Sequence, residues 1–151
     1  MIKLNLGCGF DHKPQSEGWV NVDVDPKCNP DFTCSIEEII KYSWIEYTDI
    51  NEVLMKHSLE HCEPDIFFKL MKWIWERSIN EATITIIVPH WQQEAAFDAN
   101  HKWIYPPRTF KMLVDGSYKR YYEPAQFEII ELIEKDDAKE PQTKVVYKVI
   151  K

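Results

Sequence analysis

Two groups of residues in this chain have the types and spacing to do chemistry. The first is a glycine turn followed by an acid. An apolar run (Ile2, Leu4, Leu6) stops on Gly7-Cys8-Gly9, and a second run (Val20, Val22) ends in Asp23 and Asp25. Glycine lacks a Cβ and tolerates positive φ, so a strand ending on Gly-x-Gly lets the backbone pass close beneath a ligand. An acid at the tip of the next strand is placed to accept hydrogen bonds from ribose hydroxyls. Asp23 is the first candidate for that role and Asp25 its competitor. The third glycine of a dinucleotide fingerprint would fall where His12 stands, and no Gly-Lys-Ser/Thr occurs anywhere in the chain. The pattern therefore suits a nucleoside ligand carrying a ribose and no pyrophosphate.

The second group is His57-Ser58-Leu59-Glu60-His61. On a helix, residues at i, i+3 and i+4 share one face, so His57, Glu60 and His61 would converge with metal-ligand spacing. The same pattern, His-x-x-Glu-His, occurs in inverted zinc peptidases, which makes a metal-dependent hydrolase an alternative class. Without a metal, either histidine has the pKa range of a general base. His101, in His101-Lys102-Trp103-Ile104-Tyr105, is the candidate to join them, and His90 is the other histidine in reach. Trp91, Trp103 and Tyr105 could wall such a site, since aromatic faces attract cations and stack on planar molecules.

These segments must be positioned by alternating strands and helices. Strands are predicted near 2–6, 19–23, 32–35, 51–56 and 82–88. A helix over 64–79 follows from Phe67, Leu70, Met71, Ile74 and Trp75 on one face, with Asn80 placed to end it. Short helices are predicted at 36–42 and 108–114. Segments 127–133 and 145–150 are rich in β-branched residues, and the charged link between them carries Pro141, which predicts an antiparallel hairpin.

Taken in order, Leu4-Asn5-Leu6-Gly7-Cys8-Gly9 and Gly18-Trp19-Val20-Asn21-Val22-Asp23 resemble the class I S-adenosylmethionine-dependent methyltransferases, in particular a compact subgroup. Glu52-Val53-Leu54-Met55 leading into His57–His61 is similar to that family's fourth strand and the segment after it. Thr83-Ile84-Thr85-Ile86-Ile87-Val88-Pro89 is similar to its fifth. The resemblance spans nearly the whole chain. It implies an α/β, Rossmann-like fold with a mostly parallel seven-stranded sheet and a C-terminal antiparallel hairpin. With only residues 10–19 between Gly9 and Val20, the first helix is expected to be shortened and the site more open there.

The resemblance further implies S-adenosyl-L-methionine as cofactor, held by Asn5, Gly7, Cys8, Gly9, Asp23, Ser35, Ile36 and His57. His57, Glu60, His61 and His101 would serve acceptor chemistry, as pocket wall, as general base or as ligands of a divalent metal. The metal version is similar to the metal-dependent RNA 2′-O-methyltransferases, with His57 in place of their first Glu. A non-catalytic S-adenosylmethionine-binding or partner-activating module is the non-enzyme alternative.

Composition bounds the rest. The 151 residues suit a single domain, and 44% hydrophobic content with six Trp supplies a core. A net charge of −7 argues against a nucleic-acid backbone as main partner and favours a small-molecule or sugar acceptor. No apolar run approaches the ~18 residues of a membrane span. The chain enters a strand pattern from its first residues, so a cytoplasmic protein is expected. Cys8, Cys28, Cys34 and Cys62 form no Cys-x-x-Cys pair and read as reduced structural thiols; the spacing of Cys28 and Cys34 is wide for a zinc pair.

Overall fold

The computed structural model describes residues 1–42, 48–135 and 141–151. Seven strands form one sheet: β1 Ile2–Leu6, β2 Trp19–Asp23, β3 Phe32–Thr33, β4 Ile50–Lys56, β5 Ser78–Pro89, β6 Gln126–Lys135 and β7 Gln142–Ile150. Their order is β3-β2-β1-β4-β5-β7-β6. Strands β1 to β5 run parallel, and β7 is antiparallel to both its neighbours. The expected mixed sheet with a C-terminal hairpin is what forms. Residues 136–140 of the predicted link lie outside the described residues.

β1 lies inside the sheet, between β2 and β4, and its Leu4, Asn5 and Leu6 are buried on both faces. From β1 the chain winds outward through β2 and β3, then returns to add β4 and β5 on the other side. The order of strands thus reverses at β1, and a crevice opens beyond the carboxyl ends of β1, β2 and β4. Gly7, Asp23 and His57 sit at those three ends.

Helices α1 Ile36–Tyr42, α2 Ile66–Arg77 and α3 Pro107–Lys111 complete the fold. Between β1 and β2 only a single 3-10 turn, Gln15–Glu17, forms, so the first helix is reduced as expected. α2 buries Phe67, Leu70, Met71 and Ile74 against the sheet, with Trp73 added to the predicted face.

Two boundaries differ from the sequence reading. α2 stops at Arg77 rather than Asn80, because Ser78 is extended (φ −87°, ψ 155°) while its hydroxyl donates to the Ile74 carbonyl at 2.7 Å. Asn80 belongs to β5. Pairing passes from Ile50↔Ser78 to Glu52↔Thr83, so β5 bulges there, with Glu81 at φ 65°. α3 is shorter than the predicted 108–114 helix, and the chain beyond Lys111 turns instead of winding on.

The segment after β5 is pinned by tyrosines. Tyr147 donates to the Phe110 carbonyl at 2.8 Å and Tyr122 to the Met112 carbonyl at 3.0 Å. Among the described residues, no helix is long and apolar enough to cross a membrane.

Candidate active site

The glycine turn is built for close approach. Gly7 has φ 70° and Gly9 φ 50°. The Gly7 and Cys8 N–H groups both donate to the Val22 carbonyl, at 2.8 and 3.0 Å, which ties the turn to β2. A Cβ on Gly7 would lie 2.2 Å from the Ser58 Cβ, so the turn packs directly on the residue after His57. Asp23 closes the arrangement. Its Oδ2 accepts the Gly9 N–H at 2.7 Å and its Oδ1 accepts the Asp25 N–H at 2.9 Å. Each carboxylate oxygen offers more than one lone pair, so acceptor capacity remains for a ligand.

In place of the missing helix, a buried amide network carries the β1–β2 connection. Asn5 Nδ2 donates to the Asp11 carbonyl at 2.9 Å and to Asn21 Oδ1 at 3.0 Å. Asn21 Oδ1 also accepts the Lys13 N–H at 2.8 Å, and Asp31 Oδ2 accepts the Asn21 N–H at 2.7 Å. Asn21 and Asp31 are structural residues that the sequence reading missed. Two asparagines directly across neighbouring strands (Asn5↔Asn21) were the available signal.

A cleft of about 660 Å³ opens at the carboxyl ends of the strands. Gly7, Asp23, Asp25, Ser35 and Ile36 line it, as do His61 and Lys102 from the opposite wall. Ser35 and Glu38 cap α1 reciprocally. The Glu38 N–H donates to Ser35 Oγ at 3.1 Å, and the Ser35 N–H donates to Glu38 Oε2 at 2.8 Å. Four residues assigned to the cofactor do not line this cleft. Asn5 is 3% exposed and spends its amide on the connection, Cys8 is buried in the turn, Gly9 gives its N–H to Asp23, and His57 lines the neighbouring cavity. Glu37 and Cys62, which line the cleft, carried no signal in the sequence.

The thiols around the cleft are held protonated. Burial, with Asp23 nearby, pushes Cys8 up to about 11; burial, with Glu38 nearby, pushes Cys34 up to about 11. Burial, with Glu37 nearby, pushes Cys62 up to about 12.

The His57–His61 segment is not the helix its spacing predicts. His57 takes φ 51°, and its N–H donates to the Ile87 carbonyl at 2.8 Å; only Leu59–His61 winds, as one 3-10 turn. The bond to Ile87 closes the pairing of β4 with β5, and the left-handed turn at His57 breaks the path into a helix. His57 Nδ1 still reaches Glu60 Oε1 at 3.5 Å. His101 arrives from the loop after β5. The N–H groups of Lys102 and Trp103 donate to the Glu60 carbonyl at 2.8 and 3.3 Å, stitching that loop to the 3-10 turn. The His61 and His101 rings lie edge to face, 4.8 Å apart.

Glu60, His61 and His101 thus bring one ligand atom each within 4.8 Å of one another. Glu60 is 2% exposed, and its Oε2 has no hydrogen-bond partner; neither has the buried Nδ1 of His101. Such orphaned buried atoms are rare in folded proteins and suit a donor set awaiting a ligand. A cavity of about 380 Å³ lies over them, rimmed by His57, Glu94 and Asp98. His90 stands apart, with Nε2 3.3 Å from Glu134 Oε2 on the hairpin. Among the described residues, Cys28 and Cys34 join no such group. Tyr105 is a core residue, its hydroxyl 3.5 Å from the Leu59 carbonyl, so the expected aromatic wall reduces here to Trp103 beside His101.

No family model matches the sequence, and no curated protein does. Solved structures match it over nearly its full length. A SAM-dependent methyltransferase from Archaeoglobus fulgidus superimposes with a TM-score of 0.67 at 16% identity, covering 97% of this chain and 85% of that one. The chain has the class I methyltransferase fold. The N-methyltransferase NodS from Bradyrhizobium japonicum WM9 gives a TM-score of 0.70 at 9% identity, over 99% of this chain and 85% of that one. The methyltransferase domain of a bacterial Hen1 gives 0.58 at 17%, over 97% and 89%. In this methyltransferase fold the larger cleft sits at the reversal of strand order, and the Glu60–His101 cavity adjoins it.

Proposed function

We propose that the protein is an S-adenosylmethionine-dependent methyltransferase that holds its methyl donor in the cleft beside Asp23 and its acceptor in the cavity over Glu60, His61 and His101. The observation that carries this reading is that His61 lines both cavities. Donor and acceptor sites therefore meet at one side chain, as direct group transfer requires.

The cleft suits the donor. Asp23 and Asp25 offer acceptors to ribose hydroxyls, and the glycine turn leaves backbone where a Cβ on Gly9 would meet open space. When bound, S-adenosylmethionine supplies an electrophilic methyl group on a sulfonium that departs as a neutral thioether. The chain's own contribution is alignment and proton handling. His61 and His101 stand where an acceptor hydroxyl or amine would lose its proton, and Glu60 is fixed behind them by its main-chain carbonyl. The rim acids Glu94 and Asp98, with the net charge of −7, disfavour a polyanionic acceptor and support a small molecule or sugar.

A second reading of the cluster is favoured by the orphaned Glu60 Oε2 and His101 Nδ1. Glu60, His61 and His101 form a mixed carboxylate and imidazole set that suits a divalent cation, which would polarise an acceptor oxygen. The hydrolase alternative loses its support, because it needs His57 and His61 on one helical face and the segment does not form one.

Calorimetric titration with S-adenosylmethionine and S-adenosylhomocysteine tests the proposal, with NAD as control. Saturable 1:1 binding of the first two, weakened in Asp23→Ala, is expected. Binding of NAD instead would overturn it. Tight donor binding without turnover on any acceptor panel would leave the module reading in its place.

A further inference from the structure

Beside the acceptor cavity runs a second, larger groove that the transfer chemistry does not use. It encloses about 560 Å³ between α2 and the segment after α3, within the size range of small-molecule sites. Its walls are apolar and aromatic, chiefly Phe68, Trp103, Met112, Tyr118 and Tyr121. Phe68 and Tyr118 are stacked at 5.6 Å and 11°, Phe68 and Tyr121 at 6.0 Å and 26°, and Tyr118 and Tyr121 at 5.8 Å and 24°. Near-parallel rings present a face suited to another flat ring.

The groove is linked to the proposed site through two side chains. Trp103, 45% exposed, lines the groove and also a third cavity beside it, and His101 lines both that third cavity and the acceptor cavity. A molecule seated on the stacked rings would therefore pass over Trp103 to reach His101 and Glu60. Several nearby cations are already engaged. Lys69 pairs with Asp65, Lys102 with Glu63 at 2.9 Å and Lys119 with Glu123 at 3.2 Å. Arg120 lies over the Tyr121 ring at 4.8 Å. Among the described residues Lys69 is the one cation lining the groove, and it pairs with Asp65. Most of the surface the groove presents is apolar, so the hydroxyl-rich edge of a sugar would lose hydrogen bonds there.

From this geometry we infer that the methyl acceptor carries a neutral planar aromatic group, bound against Phe68, Tyr118 and Tyr121, with Trp103 marking the path to the reacting atom. The inference rests on the proposed methyltransferase reading and names its acceptor class.

The probe is 2-naphthol, followed by NMR through the indole N–H of Trp103, which a Trp103→Phe variant assigns. The expected result is saturable 1:1 binding that shifts this resonance and weakens at least tenfold in Tyr118→Ala/Tyr121→Ala. Both tyrosines are exposed, so the double variant should still unfold in one cooperative transition, and it should bind S-adenosylmethionine within twofold of wild type. No saturable binding of 2-naphthol, or binding unchanged in the double variant, would overturn the inference. So would cellohexaose or oligouridylate shifting the Trp103 resonance where 2-naphthol does not. Loss of S-adenosylmethionine binding in the wild-type protein would instead defeat the proposed function, and the naphthol result would be read independently of it.

Discussion

The Asp23 carboxylate accepts the Gly9 N–H at 2.7 Å, joining the end of β2 to the glycine turn after β1. One side chain therefore fixes the turn and faces the cleft. Asp23→Ala removes both functions and should weaken S-adenosylmethionine binding by roughly 1–3 kcal/mol, the usual cost of losing hydrogen bonds to a charged group. Calorimetry on Asp23→Ala and Asp25→Ala checks it. Unchanged affinity in the first with a loss in the second would transfer the ribose role to Asp25.

The two glycines of the turn should respond differently to alanine. At Gly7 the added Cβ combines a left-handed φ with a 2.2 Å approach to Ser58. Strain and overpacking together should cost roughly 2–4 kcal/mol. Gly9→Ala has only the backbone strain, roughly 1–2 kcal/mol, because its Cβ meets nothing within 4 Å. Urea unfolding of both variants measures the difference; equal losses would contradict this packing of the turn on Ser58.

If Glu60, His61 and His101 hold a divalent cation, Mn²⁺ or Zn²⁺ should raise the melting temperature. At a hundredfold excess over Kd the gain is about 2.7 kcal/mol, roughly 5–10 °C for a chain of this size. The shift should vanish in Glu60→Gln and in His101→Ala. A wild-type melting curve indifferent to both ions would leave proton transfer as the cluster's role.

Alkaline pH should expose the buried thiols. Cys8, Cys34 and Cys62 are raised from 9.0 to about 11, 11 and 12 by burial, whereas in the unfolded chain they ionise near 9. The native state therefore binds more protons above pH 9. Their contribution to stability is complete below that value and is lost as pH rises from 9 toward 12. Urea midpoints at pH 7.5, 9 and 10.5 should fall slightly over the first interval and steeply over the second. At pH 8, Cys62 should react with iodoacetamide about a thousandfold more slowly than an unperturbed thiol, in proportion to its thiolate fraction. Rapid alkylation of the native protein at that site would refute the assignment.

Much of the frame was legible in the chain itself. Glycines at 7 and 9, the acid at 23 and the alternating apolar runs determined the parallel strands and where the cleft opens, because these signals act locally and through the period of the strand. The ten residues between Gly9 and Val20 determined that no full helix could form there. The local order could not decide how the His57–His61 segment would fold. Its spacing has helical period, yet β4 pairs with β5 up to Lys56, and His57 then turns through a left-handed conformation that leaves one 3-10 turn. Nor could it decide that Asn5 would turn inward to Asn21, that Tyr105 would enter the core, or that His101 rather than His90 would stand beside Glu60. Those outcomes depend on contacts between segments far apart in sequence: a carbonyl at Glu60 accepting N–H groups from residues 102 and 103, and a hairpin that draws His90 to Glu134. Burial leaves few ways to satisfy such polar groups, and only the assembled structure selects among them.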